Sequence, residues 1–141
     1  MTGAARVVYM PGGVRTEIHL GGEDTGGAFC LLVDEPPAGW SLPPHCHANE
    51  AETIHVLAGE LEVGVHGRTA RLAAGDTIHI PRGSEHTTRN VGPGPARRVV
   101  LFSPAGLERF FLEVGAPGPD TAAEPRAALA AARRHGWRFS G

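Results

Sequence analysis

Hydrophobic and polar residues alternate in short runs through the first hundred positions of the chain. In the stretch ELEVGVH, Leu61, Val63 and Val65 are separated by polar or small residues, which is the period-two pattern of a half-buried strand. Frequent Gly (20) and Pro (12) separate such runs and supply turns. The pattern therefore predicts an all-β sandwich or barrel. The predicted strands are RVVYM, RTEIHL, AFCLLVD, TIHVLAG, ELEVGVH, TARLAA, DTIHIP, HTTRNV and RRVVLFS.

The pattern changes after residue 104. The segment PAGLERFFLEVG predicts a short helix that ends at Gly115, and its apolar face would consist of Leu107, Phe110, Phe111 and Val114. The segment TAAEPRAALAAARRHG predicts a second helix, with Thr121 and Glu124 at capping-box spacing. We expect both helices to pack on the barrel; a swapped or solvent-facing tail is the alternative. We therefore expect a single domain over residues 1–141, with a barrel core at about 5–104 and a C-terminal helical segment at about 105–138.

Composition and charge exclude several classes of partner. The formal net charge of the 141 residues is −2, and no basic patch indicates nucleic-acid binding. The N-terminus lacks the apolar run of a signal peptide, and no apolar stretch is long enough to span a membrane. The sequence thus favours a cytoplasmic protein with neither a nucleic-acid nor a membrane partner. In that compartment Cys30 and Cys46 are expected to be free thiols.

The stretch PPHCHANEAET concentrates potential metal ligands. His45 and His47 are two residues apart, so on a strand they share a face, about 6.5–7 Å apart along the backbone, and can converge on one ion. Cys46 would then point to the opposite face. Taken alone, the pair fits two surface histidines on an edge strand equally well.

A second cluster occurs in GDTIHIPRGSEHTTRN. Pro81 and Gly83 indicate a turn between two strands, which would place His86 at the mouth of the second strand. Taken alone, His86 would be interpreted as an ordinary surface or core histidine.

Together the two clusters resemble the paired motifs of the cupin superfamily. All ten fixed positions are filled, and fifteen residues separate the two motifs, as in small bacterial single-domain cupins described as quercetin-dioxygenase-like. The positions are Gly39, His45, His47, Glu52 and Gly59 in the first motif, and Gly75, Pro81, Gly83, His86 and Asn90 in the second. The resemblance implies a double-stranded β-helix, or jelly-roll barrel, that holds one divalent transition metal.

The resemblance assigns the metal ligands to His45, His47, Glu52 and His86. Three imidazoles and a carboxylate form a mixed nitrogen and oxygen shell that suits Fe, Mn, Ni, Co, Cu or Zn, and the sequence does not choose among them. Four protein ligands would leave a position open for Lewis-acid or O₂ chemistry. The spacing from Glu52 to Gly59 favours Glu52 over Glu50, which requires a turn over residues 48–51 with Glu50 at its exposed tip.

Other motif positions are expected to be structural. Gly39, Gly59, Gly75 and Gly83 fit tight turns, and Asn90 is expected to cap a turn rather than bind metal. His66, just before Gly67, is expected in a hairpin turn.

Candidate residues for a substrate pocket are Phe29, Trp40, Ile54, His79 and Phe102, with Leu42 and Val56 as further wall positions. Ordinary barrel core is the alternative for each apolar residue. Such a pocket would suit a small, mostly apolar or aromatic molecule. Arg89 and Arg71 could bind an anionic group, although solvated surface arginine is the simpler interpretation.

The resemblance favours a metal-dependent dioxygenase that acts on an enolisable or aromatic small molecule, with Glu52 doubling as a catalytic base. Its small-molecule substrate and O₂ would be its partners. A non-redox isomerase, cyclase or lyase, and a non-catalytic binding module, are the alternatives. By analogy with the family we also expect a homodimer.

Overall fold

Two antiparallel sheets face each other in the computed structural model, which describes residues 3–121 and 124–140. The strands are β1 (Arg6–Met10), β2 (Val14–Leu20), β3 (Cys30–Glu35), β4 (Ser41–His47), β5 (Ala51–Ala58), β6 (Glu60–Val65), β7 (Arg68–Ala73), β8 (Thr77–Ile80), β9 (His86–Asn90), β10 (Arg97–Ser103) and β11 (Trp137–Phe139). The helices are α1 (Gly22–Thr25), α2 (Glu108–Val114) and α3 (Pro125–Arg134), and a short 3-10 turn covers Pro119–Thr121.

The strand order confirms the predicted all-β class and the double-stranded β-helix. One sheet has the order β1-β2-β3-β10-β5-β8 and the other β11-β4-β9-β6-β7. Neighbouring strands pair antiparallel throughout, as in a jelly roll. All nine runs predicted from the alternation form strands, and β4 and β11 complete the sheets.

Turn positions behave as their sequence predicts. The motif glycines Gly39, Gly59, Gly75 and Gly83 all adopt positive φ angles. The hairpin between β6 and β7 turns at His66 and Gly67, both also at positive φ.

The interior divides into two apolar clusters. The larger one lies between the sheets at the end covered by the helices, and it includes Leu32, Val100, Phe102, Phe110 and Trp137. The smaller one fills the other end with Ile54, Val56, Leu61, Val63 and Ile80. Along β5 the residues at 52, 54 and 56 are buried while those at 53, 55 and 57 are not, which confirms the predicted alternation.

The C-terminal segment differs from its prediction in two places. Helix α3 begins at Pro125, with Glu124 at the N-cap, whereas Thr121 ends the 3-10 turn and bonds back to the Gly118 carbonyl. Ala122 and Ala123, which the predicted helix included, lie outside the described residues. The segment also does not stay helical to 138, because β11 pairs with β4 along the edge of the second sheet.

The two longer helices cover the barrel, as expected. Helix α2 buries Phe110 and Val114 and ends where the Gly115 amide bonds to the Phe111 carbonyl. Helix α3 buries Ala131 and Ala132. Over residues 3–121 and 124–140, none of the helices has the length and apolar character that crossing a membrane requires.

Candidate metal centre

Three histidines from the second sheet meet inside the barrel. His45 on β4 lies opposite His86 on the neighbouring β9, and His47 follows two residues later on the same face. All three are buried: His45 is 1% exposed, His86 2% and His47 3%. One ring nitrogen from each lies within 4.8 Å of the others, so the three side chains could hold one metal ion.

Hydrogen bonds to the backbone orient two of the three rings. His45 Nδ1 lies 2.7 Å from the Pro43 carbonyl oxygen, and His86 Nδ1 lies 3.0 Å from that of Ser84. A carbonyl only accepts, so each Nδ1 must carry the proton and donate it. The Nε2 atoms of His45 and His86 are therefore left with lone pairs for a ligand, an arrangement typical of metal-binding histidines.

Glu52 reaches the same point from the opposite sheet. Its Oε1 lies 3.2 Å from Nε2 of His47 and 3.2 Å from Nε2 of His86. Neither contact is aligned as a hydrogen bond, and among the described residues this buried oxygen has no hydrogen-bond partner. A metal ion between the imidazole nitrogens and the carboxylate oxygen would explain why these atoms lie close together without forming hydrogen bonds. The residues present therefore fit a divalent transition metal.

Burial and mutual contacts set the protonation of the cluster. Burial lowers the pKa of His45 to about 4, which keeps this imidazole neutral at physiological pH. Burial also lowers the pKa of His86, but contact with Glu52 outweighs it and the net shift is upward. Burial raises the pKa of Glu52, but the contacts with His47 and His86 reverse the shift and leave it well below the ordinary range. The cluster thus presents a carboxylate to any bound ion.

The turn that joins β4 to β5 determines which candidate ligands face the cavity. β4 ends at His47 and β5 starts at Ala51, so the turn covers residues 48–50, one residue fewer than predicted, and Glu52 faces inward. Cys46 points away from the histidines and is a free thiol, as is the buried Cys30. Both cysteine predictions agree with the structure.

Glu50 corrects the prediction of an exposed tip. It is only 5% exposed, and its Oε1 has no hydrogen-bond partner among the described residues. The C-terminal segment covers this turn, because the Ala48 amide donates to the Gly136 carbonyl at 2.9 Å. Burial raises the pKa of the Glu50 carboxyl.

Trp137 on β11 packs directly on the histidines. Its indole stacks on the His45 ring at 4.8 Å between centroids and meets the His47 ring edge-on at 4.6 Å. The strand register explains the contact, since Trp137 lies opposite His47 and Phe139 opposite His45. No metal-site role was predicted for this residue, because the strand that carries it is only three residues long.

The histidines and Glu52 line a cavity of about 400 Å³. Most of its wall is apolar, and the β1–β2 hairpin and helices α2 and α3 border it. The apolar wall includes Met10, Val14, Leu32, Trp40, Leu42, Val100, Phe102, Phe110, Phe111, Leu129 and Trp137. The cavity can therefore take a small, mostly apolar molecule next to the metal-binding groups.

Of the five predicted pocket residues, the structure brings Trp40 and Phe102 to the cavity wall and leaves three outside it. Ile54 is fully buried in the smaller apolar cluster. His79 lies on the outer face of β8, where its Nδ1 is 2.9 Å from the Thr53 hydroxyl. Phe29 precedes β3 and is half-buried away from the cavity.

The predicted surface arginines are also outside the cavity. Arg89 pairs with Glu62 at 2.7 Å, and Arg71 lies 3.5 Å from Glu60, all on the exposed side of the second sheet. Asn90 is structural as predicted, because its side-chain amide donates to the carbonyls of Pro36, Pro37 and Gly94.

Arg98 lines the cavity but is not among the pocket residues predicted from the sequence. Arg98 on β10 is 5% exposed and donates from Nε and Nη2 to the two carboxylate oxygens of Asp34, at 2.8 and 3.0 Å. Its guanidinium carbon lies 5.0 Å from the centre of the Trp40 ring. The strand RRVVLFS contained the information needed to find it, because Arg98 is an even number of residues from Phe102 and so faces inward on the same side of the strand.

Comparison with known proteins connects this geometry to a family. The cupin domain model matches residues 31–102, about half of the chain. Among curated relatives, quercetin 2,3-dioxygenase of Bacillus subtilis is 29% identical over 67% of this chain and 28% of its own length. Oxalate oxidase 1 of Hordeum vulgare is 34% identical over 85% of this chain and 65% of its own length. The chain thus spans less than two thirds of the length of these relatives.

Solved structures share the fold. KdgF from Halomonas sp. superposes with a TM-score of 0.65 and 21% identity, covering 74% of this chain and 90% of that one. The polyketide cyclase RemF from Streptomyces resistomycificus gives a TM-score of 0.58 and 28% identity, covering 70% of this chain and 72% of that one.

Proposed function

Because the chain belongs to the cupin family, we propose that it is a metal-dependent enzyme that oxidises a small, mostly apolar, enolisable molecule with O₂. One observation carries the proposal: three buried imidazoles and the Glu52 carboxylate converge at the wall of an apolar cavity of about 400 Å³. The sequence similarity to a quercetin dioxygenase and an oxalate oxidase supports O₂-dependent chemistry.

His45, His47, His86 and Glu52 would hold the ion. A divalent transition metal supplies, when bound, Lewis-acid polarisation of a substrate oxygen and, if it is redox-active, a site for O₂. The backbone bonds of His45 and His86 keep two of the imidazoles in position before the ion arrives, which favours binding.

Glu52 has a second role in this proposal. Its carboxylate lies at the cavity wall beside the histidine nitrogens that would hold the ion, so it is placed to accept the proton that an enolisable substrate loses. The apolar residues around it exclude water, which strengthens its interaction with any developing charge. Glu52 is therefore both the fourth ligand and the catalytic base that we propose.

The first test is metal content. We expect one transition ion per purified chain, and we expect His45→Ala and His86→Ala to lose it. His55→Ala is the matched control, because His55 lies on the outer face of β5 and its Nδ1 is 2.7 Å from the Thr77 hydroxyl. Elemental analysis of the wild type and the three variants tests the proposed site. Equal metal content in all four proteins would rule the site out.

The second test is turnover. We expect O₂ uptake in step with loss of substrate when the metal-loaded protein meets a panel of flavonols, catechols and 1,3-diketones, and we expect Glu52→Gln to abolish it. An oxygen electrode and product analysis measure both. If the protein binds metal but converts no member of the panel, the enzyme proposal fails and a non-catalytic binding module is the remaining interpretation.

A non-redox cyclase or lyase is the second candidate. The structural similarity to the polyketide cyclase RemF, at 28% identity, favours it. The same panel under anaerobic conditions separates the two candidates, because only a non-redox enzyme would convert a substrate without O₂.

A further inference from the structure

Arg98, which lines the cavity, has one hydrogen-bond donor without a partner among the described residues. Asp34 occupies Nε and Nη2 along one edge of the guanidinium, which leaves Nη1 on the side away from Asp34. Nη1 is fully buried, and among the described residues it has no hydrogen-bond partner. A buried donor of a charged group without a partner is costly, so a ligand that supplies an acceptor is favoured there.

A second unused polar atom belongs to the same cavity. Thr88 follows His86 by two residues on β9, so both side chains face inward, and the buried Thr88 hydroxyl also lacks a partner among the described residues. Thr88 and Arg98 both line the cavity. A hydroxyl and a guanidinium nitrogen can both donate hydrogen bonds to the oxygen atoms of a ligand.

The charges on the cavity wall also favour an anion. Among the described residues, Asp34, Glu52 and Arg98 are the charged side chains on the wall, and histidines that bind a metal ion do so as neutral imidazoles. With a divalent ion bound, two carboxylates and one guanidinium leave one net positive charge in a site that is otherwise apolar. Burying that charge is unfavourable unless a ligand brings one negative charge.

From these observations we propose that Arg98, held in place by Asp34, binds a carboxylate of the substrate, so that the substrate is a small, mostly apolar carboxylic acid. This inference rests on the proposed function and narrows its substrate class. Arg98 and Phe102 are four residues apart on β10, and Phe102 is opposite Glu52. The carboxylate would therefore enter at one end of the cavity, with the reacting oxygen at the metal end.

The two tryptophans of the chain provide the readout. Both line the cavity, so a Trp137→Phe background leaves Trp40, which lies over Arg98, as the single fluorophore. Phenylacetate and phenylacetamide are the probes, because they match in shape and differ in charge. We expect phenylacetate to bind at least about tenfold more tightly by fluorescence titration, because a charge-assisted hydrogen bond forms only with the carboxylate.

Variants separate Arg98 from the metal as the source of this preference. Arg98→Met combined with Asp34→Leu removes the buried pair without leaving an unpaired charge, and we expect the two probes to bind it equally. Arg98→Lys keeps a charge beside Asp34 but loses Nη1, and we expect at least a threefold loss of preference. Arg89→Met, an exposed arginine on the neighbouring sheet, should retain the wild-type preference.

The outcomes decide the inference independently of the proposed function. Equal binding of the two probes to the Trp137→Phe protein would overturn it, as would a full preference surviving when Arg98→Lys or the double substitution is added. If the protein with the double substitution does not fold, the comparison in Trp137→Phe alone and in Arg98→Lys still decides. Metal content is measured in the same samples, with and without added metal: a preference that depends on Arg98 in protein that binds no metal would uphold the inference and reject the proposed metalloenzyme.

Discussion

Gly59 turns the chain between β5 and β6 with its α-carbon close to the backbone of Ala96. It has a φ of 83°, and a Cβ built there would lie 2.8 Å from the Ala96 Cα. Gly75, in the second motif, has a φ of 95°, but a Cβ there would meet nothing within 4 Å. The two positions share a positive φ that only glycine adopts without strain, and they differ in packing.

We predict that Gly75→Ala lowers the free energy of unfolding by about 1 kcal/mol, because it adds only backbone strain. Gly59→Ala should lower it by about 3 kcal/mol, because the Ala96 backbone must also move. Urea unfolding of the two variants and the wild type measures both. Equal losses would show that the contact with Ala96 contributes nothing.

At the residue scale, the sequence predicts the candidate ligands but not every residue around them. His45, His47 and His86 stand at positions whose parity and turns are visible in the sequence. The pocket prediction for His79 is wrong although its own strand carries the signal, because in TIHI it alternates with the inward-facing Ile78 and Ile80 and lies opposite the outward-facing Thr53. Ile54 faces inward as predicted, but whether an inward side chain meets the cavity or the smaller apolar cluster depends on its level along the barrel, which alternation within one strand does not reveal.

At the element scale, β11 connects the C-terminal segment to the candidate metal centre. This three-residue strand places Trp137 against His45 and His47 and covers the turn that carries Glu50. Sequence patterns predicted a helix here, because WRF is too short to show alternation and follows a long Ala-rich helical run. Pairing with β4 is what makes it a strand.

We predict that Trp137→Ala lowers the unfolding free energy of the metal-free protein by about 3 kcal/mol, because a large buried aromatic side chain is removed. We also expect weaker metal binding, because two ligand rings lose the surface that positions them. Urea unfolding and metal titration measure the two effects. Arg138→Ala on the same strand is the control, since its side chain is exposed; an equal loss of metal affinity there would contradict this role of the indole.

Strands β2, β3 and β10 are joined by a cluster of charged side chains on the outer face of their sheet. Glu17 on β2 accepts from Arg97 Nη1 at 3.0 Å, from Arg15 and from His19, and Arg97 also donates to Glu35. The hydrogen bond from Arg97 in particular lowers the pKa of Glu17 to about 2.

The lowered pKa of Glu17 predicts a loss of stability in acid. Its ionised form is favoured in the folded state, so its contribution is complete above its ordinary pKa of 4.5 and is lost as the pH falls towards 2. We expect Glu17→Gln to cost on the order of 1 kcal/mol at pH 7, after allowance for solvent screening, and to cost progressively less between pH 4.5 and 2. Urea unfolding across this range is the measurement. A cost for Glu17→Gln that does not change with pH would contradict the assignment.

At the scale of the whole molecule, the barrel is solid at one end and open at the other. The smaller apolar cluster is packed without reaching the cavity, whereas the larger cluster surrounds it. The barrel class and its strands followed from alternation and turns, because those are local. The cavity could not be predicted in the same way, since it depends on how the two sheets and α2 and α3 close around each other.

Leu32 and Leu61 offer a matched test of this division. Both are buried, with 1% and 0% exposure, but Leu32 lines the cavity and Leu61 belongs to the solid cluster. A side chain at a cavity wall already lacks contacts on one side, so removing it loses less dispersion energy. We therefore predict that Leu61→Ala lowers the unfolding free energy by about 4 kcal/mol and Leu32→Ala by only about 2 kcal/mol.

Urea unfolding of the metal-free proteins measures these losses, and equal losses would contradict an open larger cluster. The effects of the two substitutions on ligand affinity should be the reverse of their effects on stability. Leu32→Ala enlarges the cavity and should change the affinity for phenylacetate, whereas Leu61→Ala should leave that affinity unchanged at temperatures where it is folded. Stability would then depend more on the solid end of the barrel than on aliphatic cavity residues such as Leu32, and substrate fit would depend on the open end.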